Sequence, residues 1–160
     1  MRAPHPAQRG FTLIEVVITV ALIGLLASIA APLTATVVRR GQEQELKAAL
    51  MTLRNAIDAY KEAADAGRVA RSVGDSGYPR SLEMLVDGVT DQRSPSGAKI
   101  YFLRRIPRDP LGDRTLPPAR SWGLRAYDSP PDAPREGKDV YDVYSQAGGK
   151  ALDGTLYREW

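Results

Sequence analysis

The run Phe11–Val38, FTLIEVVITVALIGLLASIAAPLTATVV, constrains this chain more than any other feature, and it holds one charged residue, Glu15. As a helix it would extend roughly 40 Å. That exceeds the ~30 Å hydrocarbon core of a bilayer, so the run predicts a helix able to span a membrane. Two plain readings compete with a functional one. A cleaved secretory signal has an apolar region of about 7–15 residues followed by small residues, and Ala27-Ser28-Ile29 carries some of that character. A simple signal anchor is the other. Glu15 argues against both, because a carboxylate within a span costs a few kcal/mol and marks function where it occurs. Arg2 and Arg9 precede the run while Arg39 and Arg40 follow it, so charge bias gives almost no orientation.

Glu15 needs a partner. Arg9 is the nearby cation of the same chain, and a cut after Gly10 would supply another in the new α-amino group of Phe11. Phe11 and Glu15 are four apart, which puts them on one face of a helix. The ammonium of one subunit then meets the carboxylate of its neighbour only when subunits stack at a fixed axial offset, so the costly charge becomes a register device for assembly. Further along, Pro32 removes a backbone hydrogen bond and predicts a kink. Gly24 is a weaker soft spot.

Composition narrows the chemistry. The 160 residues suit one membrane segment and one small domain. There is no cysteine, which excludes disulfides, thiolate metal sites and a cysteine nucleophile. The single histidine, His5, sits before the apolar run. Without residues 1–10 the chain has neither His nor Cys and a balance of 20 basic to 19 acidic residues, or +1. Little remains to act as a general base near neutral pH, and no enzyme is predicted. A near-neutral charge likewise predicts no nucleic-acid partner.

After Gly41 the pattern becomes amphipathic. Leu46, Leu50, Leu53, Ile57, Tyr60 and Ala64 form one apolar stripe, with Glu43, Glu45, Lys47, Arg54, Asp58 and Lys61 elsewhere around the helix and Gly67 as its stop. A short helix at Leu82–Val86, capped by Ser81, follows a loop-rich stretch. Residues 87–99 read as turns. Strands are predicted at Ile100–Leu103, ended by Pro107 and Pro110, at Ser121–Asp128 and at Asp139–Ser145. The fold class is therefore α+β. A long N-terminal helix, membrane-spanning in its first half and amphipathic in its second, packs on a small antiparallel sheet of about three strands.

The octamer Arg9-Gly10-Phe11-Thr12-Leu13-Ile14-Glu15-Val16 resembles the signature of type IV prepilins and type II secretion pseudopilins. The resemblance implies cleavage after Gly10 by a prepilin peptidase, N-methylation of Phe11 by the same enzyme, and a role for Glu15 in recruiting subunits into a filament. It also implies that Gly24–Pro32 loosens in the filament, beside the alternative that Pro32 only bends the helix. In the second half of the chain, Tyr78-Pro79-Arg80-Ser81-Leu82-Glu83 with Leu85, Leu103 to Gly112 (LRRIPRDPLG) and Asp139 to Ser145 (DVYDVYS) resemble, in order, segments of the protein G family of major pseudopilins. Leu111 stands where tryptophan is usual there.

The resemblance divides the chain into a leader 1–10 that is removed, a transmembrane and filament-core helix 11–38, an amphipathic half 39–66, and a periplasmic head 67–160. It implies a structural subunit of the inner membrane with its head in the periplasm. That subunit forms a helical homo-oligomeric filament and works with a prepilin peptidase, minor pseudopilins and an inner-membrane assembly platform with its ATPase. The filament helps export folded proteins across the outer membrane. The alternative is a type IV pilus subunit or minor pilin serving adhesion, twitching or DNA uptake, for which Arg104, Arg105 and Arg108 would be the phosphate-binding patch. No cofactor is predicted. A calcium ion stays open, because members of the family bind one through an acidic, glycine-rich C-terminus. Here the tail SQAGGKALDGTLYREW offers Asp153 and Glu159 beside Lys150 and Arg158, and Asp128, Asp132, Asp139 and Asp142 would have to contribute to the roughly six to eight oxygens calcium takes. The other reading of the tail is that Tyr157 and Trp160 fold it back by burying aromatic area.

Overall fold

A computed structural model describes residues 11–160; residues 1–10, Gly10 among them, and the side chains of 29–34, Pro32 among them, lie outside the described residues. The described residues fall into two compact units, the first ending at Arg39 and the second running from Arg40 to Trp160.

In the first unit the backbone is helical from Leu13, the start of helix α1 (Leu13–Asp65). The backbone stays helical through position 32. Its large apolar side chains described in this unit are exposed all round: Leu13, Ile14, Val17, Val20, Ile23 and Leu26 each present more than half of their surface. The membrane-spanning half expected from the sequence is not borne by what is described. Among the described residues no helix is long and apolar enough to cross a membrane. The described apolar stretch from Leu13 to Ser28 rises only about 24 Å, short of the ~30 Å hydrocarbon core.

The second unit is built on the other half of α1. Leu46, Leu50, Leu53, Ile57, Tyr60 and Ala64 are buried, as the stripe predicts, and Ala49, Ala56 and Ala63 fill between them. Across from them lie Leu82, Leu85, Trp122, Val140, Val143 and Tyr157 in one core. Burying each large aliphatic side chain here is worth about 1.5–3 kcal/mol relative to exposure. The helix ends where Gly67 takes φ 69°, with the Gly67 N–H on Ala64 O at 3.0 Å and the Arg68 N–H on Ala63 O at 2.9 Å. That paired closure satisfies the last carbonyls and needs a residue without a Cβ strain penalty.

The sheet differs from expectation. Instead of about three strands in one sheet, the described residues form two separate two-stranded sheets. Strands β1 (Val89–Thr90) and β2 (Lys99–Ile100) pair antiparallel, Val89 opposite Ile100. Strands β3 (Trp122–Arg125) and β4 (Asp142–Ser145) pair antiparallel, Trp122 opposite Ser145 and Arg125 opposite Asp142. The predicted strand Ile100–Leu103 stops at Ile100 because the N–H groups of Phe102 and Leu103 both turn to Leu85 O, at 3.0 and 2.9 Å. The segment Asp139–Ser145 is strand only from Asp142: the Tyr141 N–H still reaches Arg125 O at 2.8 Å, but the Val140 N–H turns away to Pro79 O at 2.7 Å. The short helix α2 runs Glu83–Asp87, one residue later than expected, with Leu82 at its N-cap and no side-chain cap from Ser81. Trp122 sits at the centre of the core, and its indole N–H reaches Pro107 O at 2.8 Å.

Candidate functional site

The site residues predicted from sequence lie at the start of α1. Gly10 is outside the described residues. Phe11 is 81 % exposed and precedes the helix, so the four-residue spacing to Glu15 is not a helical one here. The reason is Thr12. Its Oγ1 accepts the Glu15 N–H at 3.3 Å and its carbonyl accepts the Val16 N–H at 3.2 Å, so Thr12 caps the helix and Phe11 falls outside it. Glu15 is exposed in the first turn, where a carboxylate complements the partial positive charge of the helix N-terminus. Its own carbonyl accepts the Thr19 hydroxyl at 2.7 Å. Both main-chain polar groups of Glu15 are thus held by threonines of the same helix face. The sequence reading missed Thr12, although threonine followed three residues later by glutamate is the signal that marks a capped start. Gly24 is inside α1 with its carbonyl accepting the Ser28 hydroxyl at 2.9 Å.

In the second unit three polar side chains fasten the loops. Asp109 is fully buried and binds Ser145 Oγ and the Leu111 N–H. Glu43, assigned from sequence to the polar side of α1, is instead buried at the head of the apolar stripe, 8 % exposed. It accepts the Leu152 N–H and the Tyr157 hydroxyl, each at 2.8 Å. The spacing 43, 46, 50 carries that placement, but the carboxylate argued the other way. Arg54 reaches Asp142, Val143 O and Trp160 O.

Three of the acids considered for calcium, Asp139, Asp142 and Asp153, are engaged by other groups. Asp139 binds the Ser76 hydroxyl and, at 2.8 Å, the Tyr127 N–H. Asp142 pairs with Arg54 at 2.8 Å, and Asp153 takes the N–H and hydroxyl of Thr155. Among the described residues no group of three or more carboxylate or imidazole side chains is placed to hold a metal ion. The residues present do not fit a calcium site. Of the basic patch, Arg108 is turned onto the carbonyls of Asp113, Arg114 and Leu116. A cleft of about 500 Å³ bounded by Tyr60, Tyr78, Tyr127 and Lys138 has both of its arginines engaged, Arg71 by Asp65 at 2.9 Å and Arg80 by Asp75 at 3.2 Å. On the cleft wall the Asp75 carboxyl is held below the usual range by the Ser72 N–H and, next, by Arg80.

Residues 5–31 match the family model of the prokaryotic N-terminal methylation motif. The chain is 30 % identical to the type II secretion system core protein G of Escherichia coli K12, over 66 % of this chain and 68 % of that protein. The protein of the same name from Vibrio cholerae is 30 % identical over 66 % of this chain and 67 % of its own length. That of Klebsiella pneumoniae is 28 % identical over 82 % and 91 %. No solved structure gives a significant match. An N-terminal methylation motif on a chain that follows these proteins through two thirds and more of their length leaves one conclusion: the chain belongs to the family of type II secretion system core protein G, the major pseudopilins.

Proposed function

We propose that this chain is made as an inner-membrane precursor, cut after Gly10 by a prepilin peptidase, methylated on Phe11, and assembled into a periplasmic filament that helps export folded proteins. The observation that carries the reading is the first unit of α1: an apolar surface exposed on every described side with one carboxylate, Glu15, in its first turn. Exposed apolar area on that scale calls for lipid or for other copies of the chain. A lone carboxylate there calls for a cation at a fixed offset, and the ammonium of a processed Phe11 on a neighbouring subunit supplies it. Before assembly the run 11–38 lies in the bilayer, with the head 67–160 and the helix half 39–66 on the periplasmic side. Pro32 bends this segment. In the filament the apolar halves form the core, and minor pseudopilins, a membrane platform and its ATPase act with it. The role is structural rather than catalytic.

A deletion strain's secretome, compared with its count of surface pili and complemented by wild type or Glu15→Ala, tests the reading. Lost exoproteins with normal pili, restored only by wild type, are expected. Intact secretion with lost pili or DNA uptake would move the chain to the pilus side of the superfamily.

A further inference from the structure

We propose that the C-terminal segment of this chain is fastened to α1 by Glu43 and Arg54 in place of a metal ion, so that the head locks without calcium. The proposal rests on the family reading only for the expectation of a metal; the fastening itself rests on the contacts of the second unit. Glu43 is 8 % exposed, and an unpaired carboxylate at that depth is costly. Two donors of the tail meet its Oε1 at 2.8 Å, the Leu152 N–H and the Tyr157 hydroxyl, and they do so only when the tail is seated. Three turns along the same helix, Arg54 gives Nε to Asp142 at 2.8 Å and Nη2 to Val143 O at 3.1 Å and Trp160 O at 2.7 Å. One guanidinium therefore joins strand β4 to the end of the tail.

Between these points the Lys47 ammonium stands 4.2 Å from the centre of the Trp160 ring, and Trp160 meets Tyr157 edge-on at 5.4 Å. The Trp160 indole N–H closes on Thr155 Oγ1 at 2.7 Å. Positions 43, 47 and 54 span about 16 Å of helix, and each of the three grips the tail. This arrangement is hostile to a divalent cation. Two of the three gripping side chains are cationic, Asp142 is already neutralised by Arg54, and Asp153 is spent on Thr155. Calcium would have to displace these contacts to gather its roughly six to eight oxygens.

The test uses the full-length chain in detergent micelles. Thermal unfolding is followed by near-ultraviolet circular dichroism, and trypsin cleavage after Lys150 and Arg158 by mass spectrometry, in millimolar calcium chloride or in EDTA. Indistinguishable midpoints and cleavage rates in the two buffers are expected. In Glu43→Ala and Arg54→Ala the tail is expected to be cut about tenfold faster in both buffers, as loss of a hydrogen bond to a charged group shifts a local opening equilibrium. If either variant does not fold, Glu43→Gln and Arg54→Lys take its place, with a smaller acceleration expected. A calcium-dependent rise in the wild-type midpoint, calcium protection of the tail, or unchanged cleavage in every variant overturns the proposal. The secretion assay reads the family role separately, so failure of one leaves the other standing.

Discussion

The side-chain oxygens of Asp109 and Ser145 meet at 2.6 Å with neither residue open to solvent. The bond joins the Asp109-Pro110-Leu111-Gly112 turn to strand β4. The other Asp109 oxygen takes the Leu111 N–H at 2.8 Å, and its own N–H goes to Ser121 Oγ at 3.1 Å. Replacing Asp109 by alanine takes the carboxylate away from the Ser145 hydroxyl and the Leu111 N–H. A loss of about 2–4 kcal/mol in urea unfolding is expected, against almost none for exposed Asp132→Ala. Equal losses in the two variants would deny Asp109 its fastening role.

Gly123 pairs with Tyr144 across β3 and β4, and a Cβ placed on it would lie 2.3 Å from the tyrosine ring. Gly123→Ala should therefore cost about 1–3 kcal/mol by forcing the ring aside. Gly41, helical and with open space around its Cβ position, makes the contrast. Gly41→Ala should stabilise by up to ~1 kcal/mol, because alanine is the better helix former. Thermal midpoints moving the same way in both would contradict this geometry.

Acid should weaken the head. The carboxyl of Asp65 is lowered first by its hydrogen bond from Lys61, that of Asp91 by Arg68, and those of Asp113 and Asp153 by Thr115 and Thr155. A carboxyl lower in the folded than in the unfolded chain stabilises fully above the unfolded value, about 3.9, and loses that stabilisation as pH falls through the folded value. The urea midpoint is expected to hold from neutrality to about pH 5 and to fall below pH 4. Arg68→Ala should flatten that fall, since it removes the main cause at Asp91. A midpoint that rises on acidification would refute the sign.

At the N-terminus, Glu15→Ala should leave cleavage intact and abolish most filament. Normal filament yield from it would defeat the idea that Glu15 sets register. Gly10→Lys should block processing, read as a precursor mass that does not shorten. Thr12→Ala should loosen the first turn and reduce the helix content of the purified chain, with Thr12→Ser restoring it, because the serine hydroxyl caps equally well.

The helix of the second unit was legible residue by residue, because burial along α1 keeps the helical period that the stripe announces. Glu43 was not, since only the tail, more than a hundred positions away, explains why a carboxylate should sit on that stripe. The sheets were legible in place but not in extent. Phe102, Leu103 and Val140 look strand-like locally, yet their N–H groups are taken by Leu85 and Pro79, partners no local pattern reveals. The pair β1 and β2 is too short to carry a period at all. At the N-terminal end, Phe11 and Glu15 were singled out by their chemistry and by the resemblance of the octamer around them. Thr12 was passed over although its hydroxyl decides where the helix begins.

The brevity of the two sheets has a consequence for how the folded head meets other molecules. Strands of two and four residues leave few unpaired backbone groups along any edge, and Lys99, Arg125 and Asp142 put charge there. A third strand from another molecule would find almost no template to extend. Edges this short and charged give the folded head little on which to add a strand from a neighbouring molecule.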